Sequence, residues 1–231
     1  MCVRTLLIHE EHTVKLLHIA ASPRGERSES LALASTFLTS ARLADPGLET
    51  AEWNLWDGSL PPFGPDAAAA KMTVFAGEEP TGPAADAWNA ATDAFRRFDS
   101  ADLYLFSVPM WNAGIPYILK QFIDVVSQPG LVFGFDPEQG YSGLLRDKRA
   151  AVIYTSAVYG PGRAPAFGSD FQSTYFADWL HWAGVHHQTE IHFRPNLATA
   201  DAATARSLAH EQAREQGKLF IQPQTPLRVR G

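Results

Sequence analysis

Cysteine is almost missing from this chain of 231 residues, which carries only Cys2. No intramolecular disulfide, cysteine-rich metal site or CxxC redox pair can be built from it. Blocks of lysine and arginine are missing too. The 19 basic residues stand against 25 acidic ones, leaving a net charge of −6, the wrong sign for a nucleic-acid surface. No apolar run approaches the length of a membrane span. Residues 1–13 hold His and Glu and no long apolar core, so they read as an N-terminal extension rather than a secretory leader. The expected setting is the cytoplasm. The phosphate-binding fingerprints GxGxxG and GxxxxGK are absent. So is HExxH, and His181, His186 and His187 show no other ligand spacing, so they read as surface or edge-strand histidines and no metal is expected. No Ser-His-Asp or Cys-His set is evident, and no side chain is assigned a catalytic role.

What remains is apolar: 45% of the residues are hydrophobic, enough for a substantial core. Strand-like and helix-like segments alternate. Val14 to Ala20 reads as a first strand, followed by a helix on Leu31, Ala34, Leu38 and Ala41. After an Asp45-Pro46-Gly47 turn, Leu48 to Leu55 reads as a second strand with Ala51, Trp53 and Leu55 on one face. Asp57 to Pro83 is rich in Pro, Gly and Ala and shows no period, which predicts a long functional loop. Trp88, Ala91, Thr92, Phe95 and Phe98 mark a helix, and Asp102 to Val108 a third strand. Ile115, Ile118, Leu119, Phe122, Ile123 and Val126 mark another helix. Arg149 to Thr155 is a fourth strand. Phe171, Tyr175, Trp179 and Trp182 then stripe a helix, His186 to Phe193 is a fifth strand, and Ala202 to Phe220 a closing helix.

Strands one, three and four are nearly continuous apolar runs, as expected for strands covered on both faces. Strands two and five carry polar residues at many positions, which suits edges. The order 2-1-3-4-5 follows: a three-layer, doubly wound parallel sheet of the flavodoxin-like kind, in one domain over residues 14–231.

In such sheets ligands sit in the crevice at the carboxyl ends of the strands. Three loops fall there. After strand one, Ser22, Ser28 and Ser30 surround a helix start, where unpaired amides and partial positive charge favour a phosphate; the plainer alternative is that Ser28 is only an N-cap. After strand three, Pro109-Met110-Trp111-Asn112-Ala113 makes a polar turn able to grip the edge of a planar ring, or is simply a connector. After strand four, Ser156-Ala157-Val158-Tyr159-Gly160 puts small residues and a tyrosine where a ring can be approached and fenced, or forms an ordinary Gly-Pro turn. The three loops follow strands that are adjacent in the sheet, so they share one crevice. Flavin mononucleotide, FMN, fits a phosphate cradle beside two ring clamps.

At these residues the chain resembles the FMN-dependent NAD(P)H azoreductases, which also reduce quinones. The most specific marks are Pro109-Met110-Trp111-Asn112 with Ile115-Pro116. Gly130-Leu131-Val132-Phe133 running into Gly140-Tyr141-Ser142-Gly143-Leu144-Leu145 matches the family's hairpin before strand four. Gly168-Ser169-Asp170-Phe171-Gln172 with Trp179-Leu180 and Gly184 agrees as well. The resemblance implies that Ser22, Ser28, Glu29 and Ser30 hold the phosphate. It implies that Met110 to Ala113 line the isoalloxazine edge and that the segment around Ser156 closes its other side. Two departures bear on the substrate: Ala157-Val158-Tyr159 replaces a glycine-rich stretch, and Trp111 stands where Tyr or Phe is usual.

The resemblance further implies a homodimer with flavin sites at its interface, with Phe133, Tyr159 and Trp182 taken as the substrate wall. The chemistry is the flavin's: a hydride passes from NAD(P)H to flavin N5, then to a small aromatic acceptor, a quinone or an azo compound, by a ping-pong sequence. Two other readings stay open. One is a tailoring enzyme acting on an aromatic natural product; the other is an electron-transfer flavodoxin, against which the long Asp57–Pro83 segment and the aromatic hairpin argue. No adenosine subsite for FAD can be identified.

Overall fold

The computed structural model describes residues 13–222, so all but the last residue of the expected N-terminal extension lies outside the described residues. Strands β1 (Lys15–Ala20), β2 (Glu49–Asn54), β3 (Leu103–Pro109), β6 (Arg149–Thr155) and β7 (His187–Phe193) form one parallel sheet in the order β2-β1-β3-β6-β7. This is the 2-1-3-4-5 order read from strand polarity. The short strands β4 (Phe133–Asp136) and β5 (Gly140–Gly143) pair antiparallel as a separate hairpin ahead of β6. Helices α1 (Glu29–Ala44), α2 (Pro65–Phe75), α3 (Pro83–Asp99), α4 (Tyr117–Val126), α5 (Ser173–Ala183) and α6 (Ala202–Phe220) cover both faces.

Alternation along the central strands divides the core in two. Tyr104 and Phe106 of β3 point to one face, where they pack with Phe98, Phe122, Phe176 and Trp179 from α3, α4 and α5. Leu103 and Leu105 point to the other, against Leu33 and Phe37 of α1 and Ala213 of α6. β3 is buried from Leu103 to Val108, which explains its unbroken apolar run. Glu49, Ala51, Glu52 and Asn54 of β2 are exposed, and Trp53 is buried. The second strand thus presents Trp53 and Leu55 to the core, and Ala51, expected on that face, is exposed because β2 is an edge.

Two expectations change. Asp57–Pro83 is not a structureless loop: α2 occupies its middle, started by a proline at the first helical turn. The helix buries only Ala67 and Ala70, so its sequence has no apolar stripe to betray it. Its alanines favour the helical backbone, and it packs on α3 and is tied down by Lys71 donating to the Ser127 carbonyl. The stripe assigned to α5 is also displaced. Phe171 and Tyr175 are exposed, whereas Phe176, Trp179, Leu180 and Ala183 are buried. An aromatic-rich helix offers two overlapping faces, and only packing chooses between them.

The hairpin is pinned to the end of α5. Gly184 ends that helix at φ 105°, a left-handed conformation suited to glycine. Gly143 lies against it so closely that a Cβ there would meet the Gly184 nitrogen at 2.4 Å. Leu145 donates its N–H to the Ala183 carbonyl at 3.1 Å.

Candidate active site

The loops leaving β1, β3 and β6 emerge side by side at the carboxyl rim of the sheet, because those strands are neighbours. The first runs through a 3₁₀ turn (Gly25–Arg27) into α1. Ser22, Ser28 and Ser30 are all buried there. Ser28 and Ser30 share a hydroxyl hydrogen bond of 3.1 Å, and Ser28 Oγ accepts from the Leu31 N–H at a long 3.4 Å. Ser28 is therefore the N-cap of α1, a weakly held one, and the hydroxyls stand together at the helix's positive end. The Glu29 carboxylate turns away to a two-pronged contact with Arg206 of α6. What Glu29 offers this end is its main-chain N–H, one of the helix's unpaired donors. Behind the cradle, His18 of β1 hydrogen-bonds Ser107 Oγ at 2.7 Å and approaches Glu52 at 3.3 Å.

The second loop is a tight hairpin turn. Trp111 and Gly114 exchange backbone hydrogen bonds of 2.9 Å around Asn112 (φ 49°) and Ala113 (φ 68°). Positive φ at both central positions defines a type I′ turn, for which Asn-Gly is the favoured pair. Alanine at the second position holds left-handed backbone at a cost of roughly 1–2 kcal/mol. Pro109 ends β3 opposite Thr155, whose carbonyl accepts the Met110 N–H at 2.7 Å. Trp111 joins an aromatic group absent from the sequence reading: its ring lies 5.8 Å from that of Trp56 and 6.1 Å from that of Tyr117. Trp56 is itself anchored by donating Nε1–H to the Ala21 carbonyl at 3.1 Å.

In the third loop Ser156 Oγ donates to the Tyr159 carbonyl, and Asn196 donates its N–H to the Ser156 carbonyl at 2.7 Å. Ala157 and Val158 are exposed. Arg163 donates to the Val158 carbonyl at 2.9 Å.

Met110, Asn112 and Ala113 of the second loop, with Ser156, Ala157, Val158 and Tyr159 of the third, line one open depression of about 210 Å³, and Phe167 and Gly168 complete its lining. The serine cradle does not line it. Nor do Phe133 and Trp182, whose rings lie 4.9 Å apart between the hairpin and α5, with the Lys71 ammonium 5.5 Å from Phe133. Tyr159 is the one residue of the expected substrate wall on the depression. Larger cavities lie elsewhere: one of about 370 Å³ by α1 and α6 is lined by Ser35, Thr36, Thr39, Ser40, Leu43, Arg214 and Lys218, away from the strand ends. His181, His186 and His187 are exposed, the first two sharing an Nδ1 contact of 3.1 Å. Among the described residues no group of three or more His, Cys, Asp or Glu side chains is placed to hold a metal.

An open doubly wound sheet with ligand-sized loops at its carboxyl rim defines the class, and residues 14–216 match the family described as having a flavodoxin-like fold. The chain belongs to that family. It is 47% identical over 197 residues, covering 84% of this chain and 97% of the other, to an FMN-dependent NADH:quinone oxidoreductase of Ruegeria pomeroyi. It is 41% identical to another of that description from Desulfotalea psychrophila, across 84% of this chain and 91% of the relative. The crystal structure of an azoreductase from Bacillus anthracis superposes with a TM-score of 0.82 at 26% identity, covering 90% of this chain and all of that one.

Proposed function

We propose that this protein is an FMN-dependent NAD(P)H oxidoreductase that reduces quinones, azo compounds or related small aromatic acceptors. The observation that carries the reading is the joint lining of one depression by the Met110–Ala113 turn and the Ser156–Tyr159 loop, beside a buried serine cradle at a helix N-terminus. Relatives whose names specify FMN, NADH and quinone support it.

The residues fit the group in kind. Ser22, Ser28 and Ser30 supply hydroxyl donors, and the main chain of Glu29 and Ser30 supplies amides, for a phosphate at the positive end of α1. Pro109, Met110, Trp111, Asn112 and Ala113 hold one ring edge, and Ser156, Ala157, Val158 and Tyr159 the other. FMN held by these residues would supply two-electron redox chemistry between NAD(P)H and the acceptor, which we read as a ping-pong sequence. The protein orients one flat molecule at a time against the ring, which the exposed depression admits from solvent. The aromatic group of Trp56, Trp111 and Tyr117 offers π faces beside it.

The open side of the depression is the reason to infer a homodimer, with each partner completing the other's ring pocket. Exposed Met72, Phe75, Phe135, Tyr141 and Tyr175 supply apolar surface for such a contact. In this arrangement Trp182, half-buried, reaches the acceptor across the interface, and Phe133, buried against it, backs that wall from within. Among the described residues no helix is long and apolar enough to cross a membrane, and a cytoplasmic setting suits a consumer of NAD(P)H.

The test uses the purified protein loaded with FMN. Rapid NADH or NADPH oxidation with menadione, without a protein partner, is the expected result. Flavin retention with electron transfer only to a partner protein would instead identify a flavodoxin. No flavin binding at all would end the reading.

A further inference from the structure

Behind the third loop lies a buried ion pair that the functional reading does not use. The Arg194 side chain, just past β7, is 2% exposed, and its Nη1 donates to Asp170 Oδ2 at 2.6 Å. Its Nε and Nη2 are buried with no hydrogen-bond partner among the described residues. The guanidinium sits 4.9 Å from the ring of Tyr154 and 5.7 Å from that of Tyr159. Asp170 opens the approach to α5, where its Oδ1 accepts the N–H groups of Gln172 at 3.1 Å and Ser173 at 2.8 Å, and its Oδ2 accepts the Ser173 hydroxyl. Burial alone would raise this carboxyl, but the Ser173 hydrogen bonds and the Arg194 charge together hold it below the ordinary carboxylate value.

Each end of the pair connects to one of the ring-clamp loops. Beside Asp170, Phe171 donates its N–H to the Ala113 carbonyl at 3.0 Å, and Gln172, fully buried, donates Nε2–H to the Val108 carbonyl at 2.7 Å. Beside Arg194, the Phe193 carbonyl accepts the Ser156 N–H at 3.4 Å and Asn196 holds the Ser156 carbonyl. Pro195 presses on Gly160, where a Cβ would meet Pro195 Cδ at 2.7 Å. A buried ion pair with unsatisfied guanidinium donors is a poor device for stability alone, since desolvation opposes it. Its position between two loops and behind Tyr159 asks for another role.

We propose that Arg194 and Asp170 are a positioning pair for the flavin slot. They hold the Met110–Ala113 and Ser156–Tyr159 loops at one separation and balance opposite charges behind Tyr159, setting the relative affinity for oxidised and reduced flavin. This rests on the FMN reading above. Two-electron reduction leaves the flavin with an added negative charge at neutral pH. Removing the carboxylate therefore leaves a bare guanidinium that favours the reduced form, and removing the guanidinium leaves a bare carboxylate that disfavours it.

The experiment compares wild type, Asp170→Asn, Arg194→Met and Arg194→Lys. The readouts are FMN dissociation constants, two-electron midpoint potentials, and amide hydrogen exchange of the flavin-free proteins. Asp170→Asn is expected to raise the potential and Arg194→Met to lower it, while Arg194→Lys stays near wild type. A tenfold change in the ratio of oxidised to reduced dissociation constants reads as about 30 mV for a two-electron couple. In the flavin-free Asp170→Asn protein, segments 108–114 and 156–160 should both exchange faster. Potentials that move in the same direction in Asp170→Asn and Arg194→Met, or stay put, overturn the proposal; so does faster exchange confined to one loop. If Arg194→Met does not fold, Asp170→Asn must still raise the potential while Arg194→Lys leaves it in place, and a lowered or unchanged potential in Asp170→Asn overturns the proposal. A wild type that binds no FMN fails the functional reading itself, a result separate from these.

Discussion

Replacing Ser28 and Ser30 by alanine tests the phosphate cradle most directly. Both hydroxyls are buried at the start of α1 and bonded to each other at 3.1 Å, so a phosphate would have to draw them apart and take their hydrogens. A hydrogen bond to a charged group contributes about 1.5–3 kcal/mol, and every 1.4 kcal/mol is about tenfold in affinity. Subtracting the weaker neutral bond they now share, each hydroxyl should contribute roughly tenfold or somewhat more to FMN binding. The double variant should then bind FMN about a hundredfold less tightly. Ser28 also caps α1 through a long 3.4 Å contact, so a stability loss of about 1 kcal/mol or less accompanies the change. Riboflavin, which has the ring and no phosphate, separates the two effects. Fluorescence titration with both ligands is the assay, and the expected result is a loss for FMN with riboflavin unchanged. Equal losses for the two ligands, or none for FMN, would refute the cradle assignment.

Other consequences follow from the geometry. Ala113→Gly relieves left-handed alanine in the type I′ turn and should stabilise the flavin-free protein by up to about 1 kcal/mol; a lower urea midpoint would show that the turn is not strained there. Gly143→Ala places a Cβ 2.4 Å from the Gly184 nitrogen, so it should lower the melting temperature by several degrees, as overpacking by about 1–3 kcal/mol does in a chain of this size. Asp170 has a folded-state pKa below the ordinary value of 3.8. The stability it contributes is complete above that value and is lost as pH falls through the lower folded one. Melting curves between about pH 2 and pH 5 should therefore be less steeply pH-dependent in Asp170→Asn than in wild type, and identical slopes would contradict the assignment.

The order of the sheet was legible because burial on both faces leaves its mark on composition. Leu103 to Val108 is buried throughout and reads as an apolar run, while β2 and β7 carry the polar residues of edges. The positions of the three rim loops followed from that order alone. Helix α2 was hidden because it buries little beyond two alanines, and a helix with no apolar face gives no periodic signal. The face of α5 was misread because Phe171, Tyr175, Phe176, Trp179 and Trp182 support two stripes, and the choice lies in what they pack against.

Local sequence, then, determined the five strands of the sheet, every helix but α2, and which loops end beside one another. Tertiary packing decided what each rim residue faces. It drew Trp56 over Trp111, took Phe133 and Trp182 away from the depression, turned Glu29 toward Arg206, and set Arg194 against Asp170 from a strand end and a helix start 24 residues apart. Period and composition act over a few residues, whereas these contacts join segments far apart in the chain. Only the assembled sheet brings such partners within reach.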